Sequence, residues 1–280
     1  MSSGFLFSSM PVGAPLTTVP LWTFSANGVT YSFAAIAARR RSSKSAFKFA
    51  NHRSLFRCPP APWWAVILHG LEKTVRFGRP LATARGAIFL LHGRGGSPRD
   101  IAGLAAALPD AGLAFAAPAA HGSTWYPNRF LVPTVQNEPW LSSALAVVGH
   151  LIDEALAAGL TAERLGFIGF SQGACLALEY AARHGRRYGF VAGLSGALIG
   201  PIDAVRPRAE LQGTPVLLGC AEADPHIPVD YVEQSAALLE SSGAQVSKQI
   251  YPGSDHSVFP EEIEWLQQQV SSLPWGQRKS

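Results

Sequence analysis

A chain of 280 residues that is 48% hydrophobic and 15% charged can bury a substantial core, which excludes a wholly disordered polymer. Its formal charge of +4 joins two compositions: residues 1–71 hold no Asp or Glu and seven basic residues, while residues 72–280 hold 16 basic and 19 acidic ones. The basic excess is therefore confined to the front of the chain, and the larger part carries no charge bias of the kind a nucleic-acid binder needs.

Residues 1–71 are rich in Ser, Ala, Arg and Pro, show no sustained helical or strand period, and end in CPPAPWWAVILHG. They read as a disordered basic extension or leader covering residues 1–73, with a marginal helix near residues 33–38. An acid-free, Ser- and Arg-containing front also suits an organellar transit peptide or an appended leader. Arg39, Arg40 and Arg41 read as a solvated charge run rather than a nucleic-acid contact. Trp63 and Trp64 could anchor a partner or a membrane, but two aromatics without a periodic apolar face are weak evidence for either. The longest weakly polar run, residues 102–120, is interrupted by Pro109-Asp110, short of the unbroken stretch of about 20 residues that spans a bilayer. No stable membrane insertion is expected. Cys58, Cys175 and Cys220 form no CxxC pair, which fits a reducing, cytoplasmic setting, with organellar targeting by residues 1–71 as the alternative. Cys175 and Cys220 read as small buried hydrophobes.

From residue 74 the pattern becomes regular, and residues 74–280 are expected to form one domain. Apolar runs of strand length at residues 86–92, 112–118, 164–170, 188–196, 214–224 and 244–253 alternate with helical stretches near 99–108, 140–159, 172–184, 229–242 and 260–271. Unbroken apolar strands separated by helices predict an α/β fold: a doubly wound, mostly parallel sheet with helices on both faces. There is no internal repeat.

Within this pattern the strand GFIG meets the helix GACLALEYAARH through Gly169-Phe170-Ser171-Gln172-Gly173. A GxSxG match is weak alone in a chain with 27 glycines, but strand, turn and helix are the context in which such a serine is lifted onto a sharp turn. A serine hydroxyl needs a base to take its proton, and the base needs a third group to hold its ring. Asp224 ends one later strand and His256 follows the last, in the order Ser, acid, His that this fold class uses. Glu222 and Asp255 are rivals for the acid. For the base, His226 sits in PHIP, where a loop or substrate contact suits it better; His52 and His69 lie in or beside the leader, and His150 and His184 on helices. The oxyanion of a tetrahedral intermediate needs preorganised N–H groups. Gln172, next after Ser171, and Arg94, in the glycine-rich loop LLHGRGGSPRD, would supply them. That loop lacks the GxxxxGK[ST] and GxGxxG spacings of phosphate cradles.

LLHGRGG, GFSQGACLALEYAA, LSG, CAEADPHIP and YPGSDH closely resemble the phospholipase/carboxylesterase family of α/β-hydrolases, which includes acyl-protein thioesterases, over residues 78–273. The resemblance implies a hydrolase without a large cap domain, with Ser171, Asp224 and His256 as catalytic triad, Arg94 and Gln172 as oxyanion donors, and no cofactor or metal. Residues 1–71 match nothing in the family pattern. The segment 124–145 is where a small hydrolase of this kind builds its acyl pocket, and Trp125, Tyr126, Phe130 and Trp140, with His226, are expected to bind substrate. Arg129 could bind a substrate carboxylate or be solvated. The expected activity is that of a serine carboxylesterase on a small or medium acyl or aryl ester. A thioesterase, or a hydrolase-fold receptor for a small ligand, is the alternative. The partner is a small-molecule ester or thioester, and the chain is expected to be a monomer or homodimer.

Overall fold

A computed structural model describes residues 21–26, 29–34, 68–206 and 209–272. The chain divides into two units, Met1–Arg57 and Cys58–Ser280. In the first, β1 (Leu21–Ala26) pairs antiparallel with β2 (Val29–Ala34), Ala26 opposite Val29. The runs LWTFSA and VTYSFA are aromatic and β-branched, which favours strands, and Asn27-Gly28 between them is the dipeptide most typical of hairpins. The helix expected at residues 33–38 is corrected at Phe33 and Ala34, which belong to β2; residues 35–38 lie outside the described residues, as do Cys58, Trp63-Trp64 and the arginines at 39–41.

In the second unit seven strands form one sheet in the order β3-β5-β4-β6-β7-β8-β9, where β3 is Val75–Gly78, β4 Ala87–Leu91, β5 Ala114–Ala117, β6 Leu165–Phe170, β7 Phe190–Leu194, β8 Pro215–Ala221 and β9 Gln245–Tyr251. Every neighbouring pair is parallel except β3 with β5. The helices are α1 (Pro98–Ala102), α2 (Trp140–Ala157), α3 (Gln172–Arg183), α4 (Val229–Ser241) and α5 (Pro260–Ser272). Strand alternation divides the core into two. Phe89, Leu91 and Phe167 pack with α2, α3 and α4 on one face, and Ile88, Leu90 and Ile168 pack with α1 and α5 on the other. This is the doubly wound sheet expected, and no large cap is evident among the described residues.

Three details differ from expectation. Strand β3, VRFG, alternates half-buried and exposed residues and is too short for a period to show. The helix expected at 99–108 is α-helical only to Ala102, then continues as a 3₁₀ turn over Gly103–Ala107; Gly103 sits at the change, as glycine disfavours helix interiors. The domain also begins before residue 74. The N–H groups of Leu68 and His69 both donate to Ser143 Oγ on α2, at 2.8 and 3.0 Å, and His69 is buried. Helix α2, with 18 residues, is long and apolar enough to cross a bilayer, but Leu141, Val148, Leu151 and Ile152 are buried in the core, so it serves as a core helix.

Among the described residues, buried charge is paired with one exception. Glu179 on α3 bonds Arg183 (2.7 Å), Arg206 (3.1 Å) and the N–H of Ile199 (2.9 Å), tying the helix to the loop after β7. Glu262, in the first turn of α5, accepts from the N–H of Phe259 through Oε2 at 2.8 Å, but its buried Oε1 has no hydrogen-bond partner among the described residues and lies where a Cβ on Gly219 would come within 1.7 Å. Burial, only partly offset by the Phe259 N–H, pushes its carboxyl up from 4.5 to about 8. At this group the folded chain keeps a proton that the unfolded chain gives up, so the contribution of Glu262 to stability falls as pH rises from 4.5 to about 8, then levels off. Urea unfolding of Glu262→Gln is expected to show a stability that rises relative to the parent's across this window. A difference between the two that does not change with pH would contradict the assignment.

Candidate active site

Ser171 stands between β6 and α3 with φ 54° and ψ −116°, a conformation that a residue with a Cβ adopts only under constraint. The constraint is close packing. A Cβ on Gly169 would lie 2.2 Å from the carbonyl oxygen of Gly173, and one on Gly173 would lie 2.1 Å from that of Leu91. Only glycine permits the helix to start this close to β4 and β6. The Ser171 N–H bonds Leu194 O at 2.9 Å and its carbonyl accepts from Cys175 at 3.0 Å, which locks the turn.

The loops after β8 and β9 bring two further groups to this serine. His256 Nε2 lies 2.8 Å from Ser171 Oγ, and His256 Nδ1 lies 2.7 Å from Asp224 Oδ2. The Asp224 side chain is fully buried, and its Oδ1 accepts the N–H groups of His226 (2.7 Å) and Ile227 (3.0 Å). Those bonds orient the carboxylate to accept the hydrogen bond from Nδ1–H, leaving Nε2 as acceptor for the serine hydroxyl. Phe170 and His226 pack on the imidazole, with ring centroids at 5.1 and 4.7 Å. Ser195 Oγ donates to Ser257 O at 3.0 Å and so anchors the loop that carries His256. The rivals Glu222 and Asp255 are exposed and make no hydrogen bond to His256 among the described residues.

Beside Ser171 the N–H groups of Arg94 and Gln172 have no acceptor among the described residues. The loop that presents Arg94 is fixed by a residue that sequence reasoning did not single out. His92 is buried, and its Nδ1 donates to Gly93 O at 2.8 Å while Nε2 accepts the Ala120 N–H at 3.1 Å. Burial lowers its pKa, which keeps the ring neutral in the one tautomer these bonds require. The side chains of both expected oxyanion residues hold the next loop. Gln172 Oε1 accepts the Trp125 N–H at 2.9 Å and Nε2 donates to Tyr126 O at 2.8 Å. Arg94 donates to the carbonyls of Tyr126, Pro127 and Asn128 at 2.8–3.0 Å.

These elements enclose a cavity of about 360 Å³ that reaches Ser171 and His256 and is walled by Tyr126, Phe130, Phe170, Cys175, His226 and Ile227. Tyr126, Phe130 and His226 therefore face it as expected positions, whereas Trp125 and Trp140 do not. Trp125 is fully buried, donates its indole N–H to His92 O at 2.9 Å and packs against the rings of His69 and His92. Trp140 packs on His69 and His121. Both support the loop from behind, and His69 joins them by bonding Trp125 O through Nε2 at 2.9 Å. Of the residues not foreseen at the wall, Phe170 adjoins Ser171 in sequence and was within reach of the motif. Cys175 lies one helical turn on, and burial pushes its thiol up to about 11, so it is no rival nucleophile at neutral pH. A larger cavity of about 660 Å³ beside Phe77, Phe89 and Phe115 contains none of these groups. No cluster of three or more His, Cys, Asp or Glu suited to a metal occurs among the described residues.

The profile of the phospholipase/carboxylesterase family matches residues 78–273. The crystal structure of a phospholipase/carboxylesterase from Dyadobacter fermentans DSM 18053 superposes with a TM-score of 0.70 at 38% identity, covering 74% of this chain and 100% of that one. Acyl-protein thioesterase 1 of Gibberella zeae is 34% identical over 118 residues, 41% of this chain and 50% of that protein. The putative esterase NocK of Nocardia uniformis subsp. tsuyamanensis is 33% identical over 177 residues, 61% and 47% of the two chains. The chain spans about half the length of the curated relatives it matches.

The packing at the serine turn makes a direct prediction. Gly173→Ala forces a methyl into the backbone of Leu91 and His92, and should cost at least the 1–3 kcal/mol typical of overpacking. Chemical denaturation measures it, and an unchanged midpoint would mean that this turn is looser than described.

Proposed function

The chain belongs to the phospholipase/carboxylesterase family, and from that premise we propose that it is a serine ester hydrolase working through an acyl-enzyme. The observation that carries the reading is the hydrogen-bonded series from Ser171 Oγ through His256 to the buried Asp224. Ser171 Oγ attacks the acyl carbon while its proton passes to His256 Nε2, and Asp224 stabilises the imidazolium that forms. The carbonyl oxygen gains negative charge beside the N–H groups of Arg94 and Gln172, which meet it at little reorganisation cost. Collapse expels the alcohol, protonated by His256; a water activated by the same imidazole then releases the acid and restores the serine.

The cavity's apolar walls suit a small or medium acyl or aryl group. The same steps cleave a thioester, and the likeness to acyl-protein thioesterase 1 supports that substrate as the alternative. A ligand receptor of this fold would have no use for a strained serine and two free N–H groups, so an enzyme is the better reading. We assign the activity to the unit from residue 58 onward and read residues before it as an extension to a cytoplasmic enzyme.

Ser171→Ala is expected to lower kcat for p-nitrophenyl butyrate by about 10³-fold or more, and Asp224→Asn by a similar factor because the imidazole loses its required tautomer. Steady-state kinetics on folded variants check this. Parent-like turnover by Ser171→Ala would refute the assignment, and binding of the ester without any turnover by the parent would favour a receptor.

A further inference from the structure

Among the described residues, the charged groups lining the cavity are two arginines, Arg94 and Arg129, with no Asp or Glu. Neither arginine is ion-paired among the described residues, and the nearby carboxylate of Asp224 is occupied by His256, His226 and Ile227. Arg94 spends its donors on three carbonyls of the 126–128 loop. Arg129 is different. Arg129 is exposed and its guanidinium makes one hydrogen bond among the described residues, from Nη2 to His226 O at 3.2 Å, which leaves most of a five-donor fork unused by them.

The backbone that carries Arg129 is held in advance. The buried Asn137 accepts the Asn128 N–H through Oδ1 at 2.9 Å and donates from Nδ2 to Arg129 O at 3.3 Å. Asn128 Nδ2 bonds Gln136 O at 2.7 Å, and Arg94 holds Asn128 O at 2.8 Å. A cation on a pre-ordered loop, sharing one small cavity with a reactive hydroxyl, can bind an anionic group without ordering the chain first. A guanidinium recognises a carboxylate by paired, charge-assisted bonds, and the strength of these grows as the cavity excludes water.

We propose that Arg129 selects esters that carry a carboxylate a few atoms from the scissile carbonyl. This rests on the ester-hydrolase reading and adds to it the class of substrate. Arg129 acts as a specificity residue that binds the remote end of the substrate while Ser171 and His256 act on the ester.

Matched pairs of esters test it, each pair exchanging a carboxylate for an isopropyl group with the same number of heavy atoms. p-Nitrophenyl hemisuccinate against p-nitrophenyl 4-methylpentanoate places the charge on the acyl side; 4-acetoxybutanoate against 4-methylpentyl acetate places it on the alcohol side. In at least one pair, Arg129→Gln is expected to lower the ratio of kcat/KM, anionic over neutral, by about tenfold or more, with Arg129→Lys keeping part of it. The side on which the ratio moves identifies which half of the substrate Arg129 grips. A ratio unchanged in both pairs overturns the proposal, including the case where both members fall together because Arg129 only ties the loop to His226. Labelling of Ser171 by a fluorophosphonate in the parent separates this from failure of the underlying reading: no label overturns the hydrolase assignment and this proposal with it, whereas label with an unchanged ratio overturns this proposal alone.

Discussion

Ser171 occupies a backbone conformation of the kind that costs a residue with a Cβ about 1–3 kcal/mol, and the rest of the site is arranged around keeping it there. The strain is held by contacts on three sides: β6 behind it, α3 starting immediately after it, and the end of β4 pressed against Gly173. Relaxing the turn would require the helix to move away from the sheet, so the burial of α3 against β6 and β7 opposes it. The cost is thus carried by the core, and the half-buried hydroxyl stays at the C-terminal end of the central strand β6, where the loops after β8 and β9 deliver Asp224 and His256.

A second layer of polar contacts holds the loops that the strands do not reach. Buried His92 and His69, the side chains of Gln172 and Arg94, and Asn137 each satisfy a backbone donor or acceptor in residues 93–129. Unpaired buried polar groups are costly, so each bond both removes a penalty and fixes a position. In the mechanism we propose, the N–H groups of Arg94 and Gln172 are in place before a substrate arrives and stabilise the oxyanion without reorganisation. Arg94 and Gln172 contribute twice, through the backbone at the cavity and through the side chain to the wall that faces it.

The strands were legible in the sequence because a sheet covered on both faces shows unbroken apolar runs, and β4, β6, β7 and β8 are buried almost throughout. Strand β3 was not, because an edge strand of four residues carries too little pattern. The β1–β2 pair had a signal in Asn27-Gly28 that the acid-free, Ser-rich composition around it obscured. At the site, order along the chain was enough to pick out Ser171, Asp224 and His256 as groups that could meet, since each follows a strand of one parallel sheet and such strand ends share an edge. The wall was harder to read. Aromatic composition marked residues 124–145 as a pocket segment but could not tell which rings face the cavity. That choice is made by His69, 56 residues from Trp125 in sequence, and by the buried carbonyl of His92. Asn137, which holds the loop under Arg129, belongs to no motif at all.

The central claim is that acyl transfer passes through the hydroxyl of Ser171, and trapping the intermediate tests it most directly. Turnover of an activated ester, quenched by acid within the first cycle and followed by peptide mass mapping, should place one acyl group on the peptide containing Ser171, with the mass expected for the ester used. An acyl group mapped to another residue, or rapid ester cleavage with no covalent adduct at any time, would contradict the account.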